Sequence, residues 1–138
     1  MSCILRVFGK SLDVEALLAQ LELKPDRVWR KGQPRFEARP NSRTSNDSGV
    51  TFVASKSDMT DFNTQTEEAC TFLETHLAEI RTMVEYPDIE GVVLDFGIEL
   101  RDVLIQNDYL PPKLIQVAAQ AGIGIQLSHY ACSKENES

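Results

Sequence analysis

The sequence predicts an α+β fold: a mostly antiparallel sheet with helices packed on one of its faces. Three observations predict it. Val92–Leu100 alternates strictly, with Val92, Leu94, Phe96, Ile98 and Leu100 on one side and Val93, Asp95, Gly97 and Glu99 on the other. That pattern belongs to a strand with one face on a core and the other wet, as in a sheet covered on one side. Val14, Leu17, Leu18 and Leu21, and later Leu73, Leu77, Ile80 and Val84, recur at helical spacing. Strand and helix patterns then follow one another along the chain as strand, helix, strands, helix, strand, helix, strand. Ile4–Leu23 and Val92–Tyr130 both run strand, Phe-Gly, helix. The echo points to ferredoxin-like duplicated β-α-β halves.

Each element has a local cause. Ser2–Gly9 is apolar and β-rich, so it reads as a strand. Asp13 is placed to cap a helix within Ser11–Leu23, with Leu12 and Leu17 at the positions of a hydrophobic staple. Pro25 stops it. Arg27–Lys31 reads as a short strand. Gly32–Gly49 is crowded with Gly, Pro, Asn, Asp and Ser and reads as one long connection, a length that is either functional or mobile. Val50–Ser55 is a strand. Thr64 and Glu67 have capping-box spacing at the head of one long helix, Thr64–Glu85, which Pro87 follows. A third helix spans Asp108–Ala121, opened by Pro111 and Pro112 and closed at Gly122. Ile123–Tyr130 is the last strand.

At 138 residues the chain suits a single domain, here residues 1–132, with 133–138 a disordered polar tail. No apolar run is long enough to cross a bilayer and no secretory signal opens the chain, so the expectation is a cytoplasmic protein away from membranes. Three cysteines, Cys3, Cys70 and Cys132, fit reduced thiols better than a disulfide framework. The net charge is -7, but it divides unevenly. Residues 1–45 carry nine bases and five acids; the remainder carries five bases and sixteen acids. An acidic protein repels phosphate backbones unless its bases cluster, which disfavours duplex DNA.

The bases do cluster. Lys24, Arg27, Arg30, Lys31, Arg35, Arg39 and Arg43 fall within 20 residues against Asp26 and Glu37, with Trp29 and Phe36 interleaved. Arginines among aromatics on a turn-rich segment can hold phosphate, an acidic peptide or unpaired bases. The plainer reading is that they pair with acidic helices of the same molecule or stay solvated. Arg27, Trp29, Arg30, Lys31 and Arg35 are the candidate binding residues.

The remaining motifs are weak. His129 and Cys132 are spaced H-x-x-C, but side chains three apart on a strand diverge, so no metal is expected. Asp95 and Glu99 share a face with Cα atoms roughly 13 Å apart, wider than glycosidase carboxylate pairs. Cys70 and His76 are about 120° apart around a helix, and Ser128 and His129 diverge on a strand. No phosphate-loop or dinucleotide fingerprint occurs, and no cofactor is expected. Asp95-Phe96-Gly97 carries no kinase meaning without the rest of a kinase core. His76 borders the apolar stripe of the long helix; it and His129 are secondary candidates.

The run ILRVFGKSLDVEALLAQLELKPDRVWRKGQP, through Arg6, Gly9, Leu12-Asp13, Leu21, Leu23, Pro25, Trp29 and Lys31-Gly32, resembles the opening of an uncharacterised bacterial family, domain of unknown function 4279. ETHLAEI, with His76, and LPPKLIQVAAQAGIGIQLSHY, ending at Tyr130, resemble its later helix and its closing helix and strand. Where that family often has a tryptophan strand, this chain has VTFVAS with Phe52. The resemblance implies one bacterial domain and brings no activity with it. The expected function is therefore a non-enzymatic accessory domain that binds an acidic protein surface or a small anion through the basic loop. The alternatives are an enzyme with a histidine–carboxylate site and, more weakly, a single-stranded nucleic-acid binder. Oligomeric state is not legible.

Overall fold

In the computed structural model, which describes residues 2–36 and 39–131 and only the backbone of 35–36 and 39–42, the alternating segments become strands of one sheet. The elements are β1 (Cys3–Gly9), α1 (Val14–Leu18), β2 (Arg27–Trp29), β3 (Pro34–Phe36), β4 (Arg39–Thr44), β5 (Ser48–Ser55), α2 (Phe62–Thr75), α3 (Leu77–Glu85), β6 (Gly91–Glu99), α4 (Pro112–Ala121) and β7 (Gly124–Tyr130). The main sheet has the order β2-β5-β1-β6-β7; β3 and β4 form a separate pair. Every neighbour in the main sheet is antiparallel except β6 and β7. The fold is α+β with a mostly antiparallel sheet.

Two β-α-β crossovers underlie the echo in the sequence, and they differ. β6-α4-β7 joins adjacent parallel strands. β1-α1-β2 joins strands that run the same way but have β5 inserted between them, antiparallel to both.

The helices cover one face. Leu5, Val7, Phe52, Leu94, Phe96 and Ile98 point from the strands into the same buried cluster as Val14 and Leu17 of α1, Leu73 of α2, Ile80 and Met83 of α3 and Leu114 of α4. Each such side chain, fully buried, contributes roughly 1.5–3 kcal/mol. Phe52 stands in this core, fully buried.

Four boundaries depart from the sequence reading. The first helix ends at Leu18, because Gln20 and Leu21 turn back onto the carbonyls three residues earlier; Asp13 does cap it, accepting from the Ala16 amide. The long helix begins at Phe62, capped by Asp61 rather than Thr64. It then breaks at His76, whose φ of -112° and ψ of 23° leave the helical region. The break lets α2 lie against β5 and α3 against β6. The last helix starts only at Pro112, after an irregular run that leaves Val103, Leu104 and Ile105 exposed. Finally, the Gly32–Gly49 connection is not structureless: it holds the β3–β4 hairpin. Cys132 and the 133–138 tail lie outside the described residues.

Candidate functional site

The face of the sheet opposite the helices is floored by side chains that alternation sends away from the core. On β2, Val28 packs toward the core while Arg27 and Trp29 take the other side. Register then aligns them in rows. Arg27 lies opposite Thr51 of β5, and Thr51 opposite Arg6 of β1. Trp29 lies opposite Gly49, and Gly49 opposite Phe8. The end of β4 and the turn into β5 supply the other wall, with Arg43 and Asp47 among their residues. Together they enclose a cavity of about 550 Å³. That lies within the ~300–1,000 Å³ range of small-molecule sites.

Each part of this groove is held. The Trp29 indole lies over Gly49, where any β-carbon would collide with its benzene ring, so only glycine admits it. Trp29 Nε1 donates to Asp47 Oδ1 at 2.8 Å, which ties the ring to the wall. The Lys31 amide donates to Ser48 Oγ at 2.9 Å, and Gly32 and Ser45 exchange backbone bonds across the root of the hairpin through Gln33. Below, Arg6 donates to Asp95 Oδ2 at 2.9 Å and to Gln126 Oε1 at 3.2 Å, and Ser128 Oγ donates to the other Asp95 oxygen at 2.6 Å. Asp95 is thus a structural anchor for an arginine rather than half of a carboxylate pair with Glu99.

The electrostatics favour an anion. Three arginines, Arg6, Arg27 and Arg43, line the cavity; Asp47 is the one carboxylate beside them, and Asp95 pairs with Arg6 from below. Among the described residues neither Arg27 nor Arg43 has an ion-pair partner. Thr51, between Arg27 and Arg6, is 3% exposed, and its Oγ1 has no hydrogen-bond partner among the described residues. An unpaired buried hydroxyl costs about 1–3 kcal/mol, and a ligand or water that bonds to it recovers that cost.

The sequence candidates are divided by this geometry. Arg27 and Trp29 line the groove. Arg30 turns to the other side of β2 and pairs with Glu15 beside α1; that hydrogen bond holds the Glu15 carboxyl below its ordinary range. Lys31 is exposed at the hairpin root. Arg35 lies on β3, but its side chain falls outside the described residues. Arg6, Thr51 and the role of Arg43 were missed. Arg6 enters the sequence reading only through the family resemblance and not as a binding residue, and Thr51 carries no signal until β5 is registered against β1 and β2.

The secondary candidates stand apart. His76 packs on Phe72, with ring centroids 5.0 Å apart, and its Nδ1 is 3.6 Å from Glu79. The Glu79 Oε1 oxygen accepts the backbone amides of Glu22 and Leu23, so that carboxylate ties the chain after α1 to α3. His129 is exposed on edge strand β7. Burial pushes the Cys3 thiol up, with the nearby Asp95 charge adding to it, and burial likewise raises Cys70. Both are far from the low-pKa thiolates that act as nucleophiles. No cluster of three or more His, Cys, Asp or Glu among the described residues could hold a metal. Among them no helix is long and apolar enough to cross a membrane.

A family model described as a domain of unknown function, DUF4279, matches residues 1–132. The chain belongs to that family. No curated protein and no solved structure matches it. In this DUF4279 chain the matched span contains the whole groove, from Ile4 on β1 to Thr51 on β5.

Proposed function

We propose that this DUF4279 domain is a non-enzymatic binding module that takes a small anionic ligand in the groove between the sheet and the β3–β4 hairpin. The observation that carries the reading is the row Arg27–Thr51–Arg6: an arginine without an ion-pair partner and one held by Asp95, in register on either side of a buried threonine whose hydroxyl has no partner among the described residues. Guanidinium forks match carboxylate and phosphate oxygens, and a hydroxyl can donate to a third oxygen. We place the domain in the bacterial cytoplasm, in keeping with the free thiols of Cys3 and Cys70.

The rival enzymatic reading has the His76–Glu79 approach in its favour, but a carboxylate already bonded to two backbone amides is a poor partner for proton transfer. Thermal denaturation in rising sulfate, inorganic phosphate and acetate, at constant ionic strength, tests the proposal. A melting temperature that climbs with one of these anions supports it. Arg27→Glu should remove the climb and Arg30→Glu should leave it. If none of the three anions stabilises the protein, or if Arg27→Glu responds like the wild type, the groove is not an anion site.

A further inference from the structure

The groove is far roomier than a bare oxyanion needs, and its lining changes character along the strands. One row across the sheet is polar and basic: Arg27, Thr51, Arg6. The next row, two residues further along each strand, is aromatic: Trp29 on β2 and Phe8 on β1, with Gly49 between them. Two residues along a strand is about 6.6 Å. An acidic group seated over Thr51 therefore has its attached body over Trp29 and Phe8 after about one ring's length.

Both rings are set in advance. Trp29 lies down on Gly49 and is bonded to Asp47; Phe8 lies down on Gly91. A fixed aromatic surface binds a flat partner without losing rotamer freedom of its own. The Asp47 carboxylate is bonded to Trp29 on the wall that also carries Arg43, while Arg27 stands at the other end with Arg6, which Asp95 holds.

From the row order and the fixed rings we infer that the ligand is a flat aromatic molecule carrying an oxyanion group, carboxylate or phosphate, with the acid on Arg27, Thr51 and Arg6 and the ring against Trp29. This rests on the anion-site reading above and goes beyond it by fixing the body to which the anion is attached.

The test compares acids of matched charge and size by calorimetry. 2-Naphthoate should bind about fivefold or more tightly than decahydro-2-naphthoate, its saturated counterpart, fivefold being the low end of what a stacked ring contributes. Phenyl phosphate set against inorganic phosphate gives the same comparison for the other acid group and shows which of the two the arginines prefer. Trp29→Leu should erase the aromatic advantage while leaving the weaker saturated acid bound; Trp29→Phe, which keeps a ring, should retain most of it. The sole tryptophan also reports directly, because stacking quenches its fluorescence. Equal affinity for flat and saturated acids, with both lost in Arg27→Glu, would overturn the inference and leave the anion site standing. No binding of any of the four probes would remove both.

Discussion

Along β1, Cys3, Leu5 and Val7 enter a dry core while Ile4 and Phe8 flank Arg6 on the floor of a cavity, so one seven-residue strand serves two environments. On the helix side the strands present mainly apolar side chains, among them Leu5, Val7, Val50, Phe52, Leu94 and Phe96. On the hairpin side they present the guanidiniums of Arg6 and Arg27, the Asp95 carboxylate and hydroxyls. The helix side is where the fold gains its stability. The hairpin side carries the Thr51 hydroxyl and helix α2 the Gln65 Oε1 oxygen, each without a hydrogen-bond partner among the described residues; of the two, Thr51 lines a cavity. The contrast says that substitutions on the two faces should separate stability from ligand affinity.

The largest effect should come from the core. Leu5→Ala empties a fully buried site and should cost about 2–5 kcal/mol in denaturant unfolding. Anion affinity of the folded protein should fall far less than stability, because alternation points the Leu5 side chain into the core and away from the groove. A large loss of affinity with little loss of stability would dissolve the division between the faces.

Asp95→Ala comes next. It leaves Arg6 and Ser128 without their shared acceptor. The Arg6 and Asp95 side chains are 25% and 12% exposed, so the cost should be about 1–2 kcal/mol, below that of a fully buried pair. Because Arg6 loses its counter-charge, anion affinity should rise. Stability that falls together with affinity would mean that Asp95 matters to the groove only by holding Arg6 in place. Thr51→Val is smaller. The swap keeps the shape of the side chain and removes the orphan hydroxyl, so stability should change by less than about 1 kcal/mol and can increase. Affinity for carboxylates and phosphates should drop several-fold at the same time.

The two faces were not equally legible from the chain. Apolar periodicity located β1, β5, β6, β7 and the helices, because burial leaves a repeating mark on sequence. Helix ends were less visible: the break at His76 comes from fitting α2 and α3 over different strands, a tertiary demand with no local marker. The basic segment was visible as charge, but charge says nothing of direction. Arg27 and Arg30 differ by three positions, and strand alternation sends one into the groove and the other to Glu15. Thr51 and Arg6 gain their meaning from register alone, which links residues 27, 51 and 6 across three strands.

The smallest expected effect concerns acid stability, and it lies at the end of the sheet rather than on either face. Hydrogen bonds from the Thr64 hydroxyl and amide hold the Asp61 carboxyl below its ordinary value of 3.8. The Thr60 amide and hydroxyl do the same for Asp58. Carboxyls lowered in the folded state stabilise it at pH values above the ordinary 3.8, and that contribution is lost as the pH falls through their folded values. Melting temperature should therefore begin to drop near pH 4 and continue downward. Asp61→Asn keeps a capping side chain on α2 but cannot titrate. It should leave the melting temperature near neutral pH little changed and flatten the acid limb. An acid limb of unchanged slope would show that the Asp61–Thr64 bonds contribute no proton linkage to folding. If anion binding to the groove is then measured at pH 4 in both proteins, the two should agree, because Asp61 is not among the residues lining that cavity.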